Sequence, residues 1–224
     1  MDDVGAADRS GRLPAKRAAI VAAARVVFGR HGYVGASMDE VSAEAGVSKR
    51  TVYQHFTDKQ ELFRTAVLDA VDRGYEMFRP HNEALADVAG DELPAALLAL
   101  ADLAHRGLLA PELLQMRRLV MAEAERFPRL GREYYDRSWG RSIGGLADSI
   151  ARLHARGLLD APDPDGAAHA FVMLVAGREL NRSAFLGVEP TGSADHRHGV
   201  TREAVRIFLA AYAPGPETSA SRRA

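Results

Sequence analysis

Apolar residues recur along this 224-residue chain at the spacing of helices, not of strands. Pro14 suits a first helical turn, and Ile20, Ala24, Val27 and Phe28 then form one face of a helix that ends near Gly32. Ser37-x-x-Glu40 has the form of a capping box, and Met38, Val41 and Ala45 follow it at i, i+3 and i+7. Gly46 is placed as a left-handed helix stop. Ser48 can cap the next helix, whose apolar positions Val52 and Phe56 lie four apart. Thr57-x-x-Gln60 reads as a second capping box, opening a helix through Leu62, Ala66 and Val71 that Pro80 should stop near Arg79. Short helix, glycine turn, short helix, then a longer helix: this is a helix-turn-helix unit.

Helical patterning resumes after Asp87–Asp91 through Leu97, Leu100, Leu103 and Leu108, and again from Pro111 through Leu113, Arg117, Val120 and Ala124 to Pro128. Trp139, Ile143, Leu146, Ile150 and Leu153 are spaced 4, 3, 4 and 3, the mark of a buried seam that Gly157 ends. Asp163-Pro164 forms a cap and first-turn pair for a helix carrying Phe171, Val172, Val175 and Glu179. A loop over 187–199 precedes a last helix with Val205, Phe208, Leu209 and Tyr212. The expected fold is all-α: a three-helix head plus a C-terminal helical bundle, about nine helices without a strand. The expected division is a flexible basic arm over 1–12, the head over 13–72 with its linking helix to about 79, a helical body over 80–213, and a disordered tail over 214–224.

The second helix of the turn unit carries Lys49, Arg50, Thr51, Tyr53, Gln54 and His55 around its narrow apolar seam. Free N–H groups at such a helix start suit phosphates, and side chains on its outer face can enter a major groove. Arg50 and Gln54 share a face; arginine pairs with guanine and glutamine with adenine. Lys49, Tyr53, His55 and the Ser48 backbone are placed for phosphates. A solvated helix face would explain the charges alone, but not the capped turn and flanking helices together.

These residues resemble the TetR family of bacterial repressors. The matching stretch runs from about Pro14 to Val71, roughly a quarter of the chain, with A-G-V-S at 45–48, Y-x-x-F at 53–56 and K-x-x-L-F at 59–63. The resemblance implies that Ser37, Ser48, Lys49, Thr51, Tyr53, His55 and Lys59 hold double-stranded DNA, mostly through phosphates. Position 50, often small in the family, is Arg50 here, so an operator sequence does not transfer. The resemblance also implies a homodimer, a near-palindromic operator and a ligand-binding C-terminal domain. The segment R-L-V-M-A-E-A-E-R-F-P-R-L at 118–130 is similar to the AcrR-type branch, which points to a small lipophilic effector. Met116, Val120, Tyr135, Trp139, Phe171 and Val175 are the candidate ligand wall, although such seam residues are more often core. The helices near 164–186 and 200–213 carry apolar surface that either pairs across a two-fold axis or packs within one chain; the resemblance favours the dimer.

Charge sharpens the division. The net charge is −1, yet between Arg9 and Arg64 ten basic residues outnumber five acids, leaving the remainder acidic. A basic head on an acidic body fits DNA at one end. Arg9, Arg12, Lys16 and Arg17 either reach DNA or merely solubilise the arm. With no cysteine there is no disulfide or thiol chemistry, and no apolar run approaches the ~18 residues that span a bilayer, so a cytoplasmic protein without a membrane partner is expected. No nucleophile elbow, phosphate loop or dinucleotide fingerprint appears, His196-x-His198 lacks nearby cysteines, and no carboxylate pair stands out, so no cofactor, metal or enzyme activity is expected. A DNA-binding regulator or activator without a small-molecule effector is the alternative, and a helical enzyme the weakest reading.

Overall fold

The computed structural model describes residues 4–187 and 193–214, with side chains from residue 15 onward. It comprises α1 (Val4–Gly35), α2 (Met38–Glu44), α3 (Lys49–His55), α4 (Lys59–Leu85), α5 (Leu93–Leu108), α6 (Pro111–Glu123), α7 (Pro128–Tyr135), α8 (Arg141–Ala155), α9 (Pro164–Leu186) and α10 (Ala194–Tyr212). A π-helical turn over Asp136–Gly140 joins α7 to α8, so nine separate helices and no strand are found among the described residues. The chain divides into two compact units. One takes the chain through Val71 together with Gln115–Tyr134; the other takes Asp72–Leu114 and the chain from Tyr135.

In the first unit the expected faces are buried. Ile20, Ala24, Val27, Phe28, Val41, Val52, Phe56, Leu62 and Phe63 are all within 3% of full burial. α1 breaks at Gly32, whose φ of 70° is a left-handed conformation that glycine adopts without strain. Phe63 lies against Phe28 and Tyr33 with ring centroids 5.0 Å from each, and Phe127 meets Tyr33 at 4.8 Å. The segment 115–134, expected in the body, belongs with the head for this reason. Gln115 Nε2 donates to Gly29 O at 2.8 Å, and Arg64 Nε donates to Glu133 at 2.6 Å. A Cβ at Gly29 would stand 2.4 Å from the Gln115 amide oxygen, so that side-chain end would have to shift.

The second unit has its own core, in which α8 packs on α9 while α5, α9 and α10 pack on one another. Ile143, Leu146, Ile150 and Leu153 are buried as the seam predicted, with Trp139 partly buried at its edge. Phe171 and Phe208 meet edge to face at 5.1 Å. Asp72 accepts from both Arg137, within the π-helical turn, and Arg141, just after it, at 3.0 and 2.9 Å.

Four boundaries differ from the sequence expectation. α1 begins at Val4, so the backbone of 4–12, expected as a flexible arm, is helical; Pro14 fixes a helix-compatible φ and need not mark the start. Residues 1–3 lie outside the described residues. α4 passes through Pro80 to Leu85, since buried Leu85 and Ala86 anchor its last turn and Arg79 pairs with Glu76 and Glu83 around the proline. The cap of α4 falls one residue later than Thr57-x-x-Gln60: Asp58 Oδ1 accepts from Glu61 N at 2.8 Å, and Glu61 Oε2 from Thr57 N at 2.7 Å. Two carboxylates at a helix start suit its positive end better than a hydroxyl and an amide. α10 starts at Ala194, because Ser193 caps it by accepting from His196 N at 3.1 Å. That shortens the expected loop, of which 188–192 lie outside the described residues, as does the expected tail from residue 215.

His105 on α5 is buried, and its Nε2 has no hydrogen-bond partner. Burial pushes its pKa below the ordinary 6.5; Glu179 and Asp102 oppose that shift, and Arg197 and His196 add to it. A lowered folded value means that the unfolded chain takes up the proton first. This stabilisation is therefore complete above the ordinary value and is lost as pH falls through the folded one. We expect the unfolding free energy of wild type to fall between pH 7.5 and 5.5 more than that of His105→Gln, as read by urea titration at each pH.

Candidate nucleic-acid interface

The interface is built on caps that hold α2 and α3 at a fixed turn. Ser37 accepts from Glu40 N at 3.2 Å while Ser37 N donates to the Glu40 carboxylate at 2.8 Å, which is the reciprocal box expected. The Ser37 hydroxyl, which donates to the Glu40 carboxylate at 2.9 Å, and the Ser37 backbone N–H together hold that carboxyl below its usual range. Gly46 has φ 64°, reversing the chain after α2. Ser48 then accepts from Thr51 N at 3.2 Å, and the two hydroxyls lie 2.8 Å apart. Val52 is the one residue buried within α3, and Phe56 beyond it is buried at its C-cap, with the Arg17 guanidinium over the ring. With its inner side so seated, α3 turns its other face outward.

That face carries Arg50, Tyr53 and Gln54, all exposed. Among the described residues no side chain of the three makes a hydrogen bond or ion pair, so each is available to a partner molecule. His55 is half-buried in the last turn. The other expected contacts are already engaged. Ser37, Ser48 and Thr51 serve the caps. Lys49 Nζ lies 2.7 Å from Asp39 Oδ1, an ion pair that holds its pKa above the usual range. Lys59 Nζ donates to Ala36 O at 2.8 Å and Val34 O at 3.3 Å, over the Tyr33 ring at 4.7 Å. Lys59 therefore holds the corner after α1 as well as offering charge.

Sequence reasoning missed Asp39 and the Arg126–Phe127 corner. Asp39 and Lys49 sit ten positions apart on different helices, so no periodicity links them. Arg126 stands 5.0 Å from the Tyr33 ring centre, a contact between distant parts of the chain.

The candidate ligand wall is not brought together. Met116 and Val120 are buried in the first unit, where they fill its core. Phe171 and Val175 are core residues of the second, Trp139 packs at that core's edge, and Tyr135 is 56% exposed. His196 and His198 lie on α10, and among the described residues no group of three or more His, Cys, Asp or Glu could hold a metal. No single helix among the described residues is long and apolar enough to cross a membrane.

A capped helix-turn-helix with a free polar face on its second helix, joined to a helical body, defines a DNA-binding transcription regulator. Comparison with known proteins makes this specific. Residues 20–66 match the family model of bacterial regulatory proteins of the tetR family, and residues 95–214 match that of the AefR-like transcriptional repressor C-terminal domain. A TetR-family transcriptional regulator from Mesorhizobium loti MAFF303099 is 32% identical, covering 90% of this chain and 98% of that one with a TM-score of 0.85. The chain belongs to the TetR family. The flavonoid-responsive regulator FrrA is 26% identical, covering 90% and 98% of the two chains, with a TM-score of 0.70. The HTH-type transcriptional activator FasR of Mycolicibacterium smegmatis is 44% identical over 66 residues, which are 29% of this chain and 30% of that protein. The match thus spans about three tenths of that curated relative. The C-terminal match is described as AefR-like, where residues 118–130 suggested AcrR-type. The chain is a regulator, not an enzyme.

Proposed function

We propose that this regulator acts in the cytoplasm as a dimeric repressor, binding a near-palindromic operator through two copies of α3 and leaving it when a small lipophilic effector binds. The observation that carries the reading is the exposed, unpartnered trio Arg50, Tyr53 and Gln54 on a rigidly capped helix. Arg50 and Gln54 would read bases and Tyr53 a phosphate, with Ser37, Ser48, Lys49, Thr51, His55 and Lys59 supplying further backbone contacts. Dimerisation is supported by apolar side chains left open on α9 and α10: Met173, Phe185, Leu186 and Ile207. A two-fold pair would set the recognition helices about 34–36 Å apart, one turn of the duplex.

Release by an effector is supported by the AefR-like repressor description of the C-terminal match and by the flavonoid response in FrrA's name. The effector must bind the released state more tightly than the DNA-bound one. FasR is named an activator, which favours a second reading: a DNA-binding regulator or activator without a small-molecule effector.

Trp139, the single tryptophan, separates the two readings. Planar aromatic compounds titrated into the protein–operator complex should change Trp139 fluorescence and release the DNA over the same concentration range, with sedimentation showing a dimer throughout. A dimer that holds DNA unchanged while a full aromatic panel leaves the fluorescence flat supports the effector-free reading. A monomer on a single half-site contradicts the dimer.

A further inference from the structure

Lys49 is the first residue of α3, where free N–H groups and the helix dipole already make a positive end. A lysine is poorly placed there unless an anion meets it. Asp39, in the first turn of α2, meets it with both oxygens: Lys49 Nζ lies 2.7 Å from Oδ1 and 3.1 Å from Oδ2. Both side chains remain more than half exposed, at 58% for Lys49 and 65% for Asp39, so the pair is not part of the packing that holds α2 to α3. Val41, Val52 and Phe56 perform that packing in the core, and the caps of Ser37 and Ser48 set the corners. The carboxylate thus stands beside the start of the recognition helix, occupying the ammonium that a DNA phosphate would otherwise take.

We propose that Asp39 is a specificity-determining residue: an intramolecular stand-in for a backbone phosphate, which holds Lys49 until a duplex of the right sequence displaces it. This rests on the reading of α3 as the DNA-contacting helix. Any duplex that engages Lys49 must break or share the ion pair and bring phosphates toward a carboxylate. A non-specific duplex has only phosphate contacts to set against that cost. An operator adds the base contacts of Arg50 and Gln54, which seat α3 deeply enough for a phosphate to take Lys49 from Asp39, whereas a non-specific duplex without them leaves the pair closed. Asp39 thus weakens binding to all DNA but weakens non-specific binding more, raising the ratio between the two. Specificity of this kind comes from a built-in repulsion as much as from an attraction.

The test compares full-length wild type, Asp39→Asn, Lys49→Ala and the double variant on two duplexes of equal length. One is the site recovered by selection from random DNA and the other its scrambled version, each titrated from about 50 to 200 mM salt. Asp39→Asn should tighten binding to the scrambled duplex by about tenfold at the low-salt end and steepen the salt dependence by about one unit of slope, as one more phosphate contact would. The gain on the selected site should be smaller, so that discrimination falls. On the Lys49→Ala background the gain should be smaller, because only the carboxylate's repulsion of phosphates is then relieved. Weaker binding of Asp39→Asn to both duplexes would mean that Asp39 only aligns α2 with α3, and would overturn the proposal. Unchanged scrambled-duplex affinity, or an equal gain on the Lys49→Ala background, would overturn it too. A wild type that binds neither duplex would instead overturn the reading of α3 itself.

Discussion

Replacing Arg50 and Gln54 together by alanine should lower affinity for the selected operator by about 10²- to 10⁴-fold while leaving thermal unfolding unchanged. Each well-formed bidentate base contact discriminates by about 1–3 kcal/mol, and the two side chains are one turn apart on the same face. Among the described residues neither side chain makes a hydrogen bond and both are exposed, so truncation removes no contact that holds the fold. Affinity for scrambled duplex should fall far less, since phosphate contacts from Lys49 and Lys59 remain. Quantitative footprinting beside a calorimetric unfolding scan checks both halves. Equal losses on operator and scrambled duplex would assign the two residues to the backbone instead of the bases.

Phe63→Ala should be the most damaging change to the head's stability, at about 3–5 kcal/mol, as for other large buried aromatics cut to alanine. Phe63 is fully buried and its ring meets Phe28, Tyr33 and Phe127 at 5.0, 5.0 and 6.2 Å. It joins α1, α4 and the corner between α6 and α7, so its loss loosens three segments at once. Against a typical total of about 5–15 kcal/mol, that is a large fraction. Phe63→Leu should cost much less. Urea unfolding followed by near-ultraviolet circular dichroism would show it, and a loss under about 1 kcal/mol would mean that this cluster does not centre the head.

What could be read along the chain was local. The Ser37–Glu40 box, the Gly46 and Gly157 stops, the Ser48 and Asp163 caps and the 143–153 seam all involve residues within a turn or two of one another. What could not be read depends on distant contacts. Nothing near Phe127 announces that it docks on Tyr33, so the assignment of 115–134 to the head needed the fold. The continuation of α4 past Pro80 depended on Leu85 finding a core, which outweighed one lost hydrogen bond. Apolar spacing also cannot distinguish a ligand wall from a packed interior. Met116, Phe171 and Val175 are almost fully buried, and the first belongs to a different unit from the other two.

Selection of bound fragments from random duplex DNA by the full-length protein tests the central claim most directly. We expect an enriched inverted repeat, its half-sites centred about 10 base pairs apart or a multiple of that. We also expect the enrichment to vanish when Arg50 and Gln54 are both alanine. A pool with no sequence enriched, or one enriched equally by the double variant, would contradict the account of α3 as the reader of DNA.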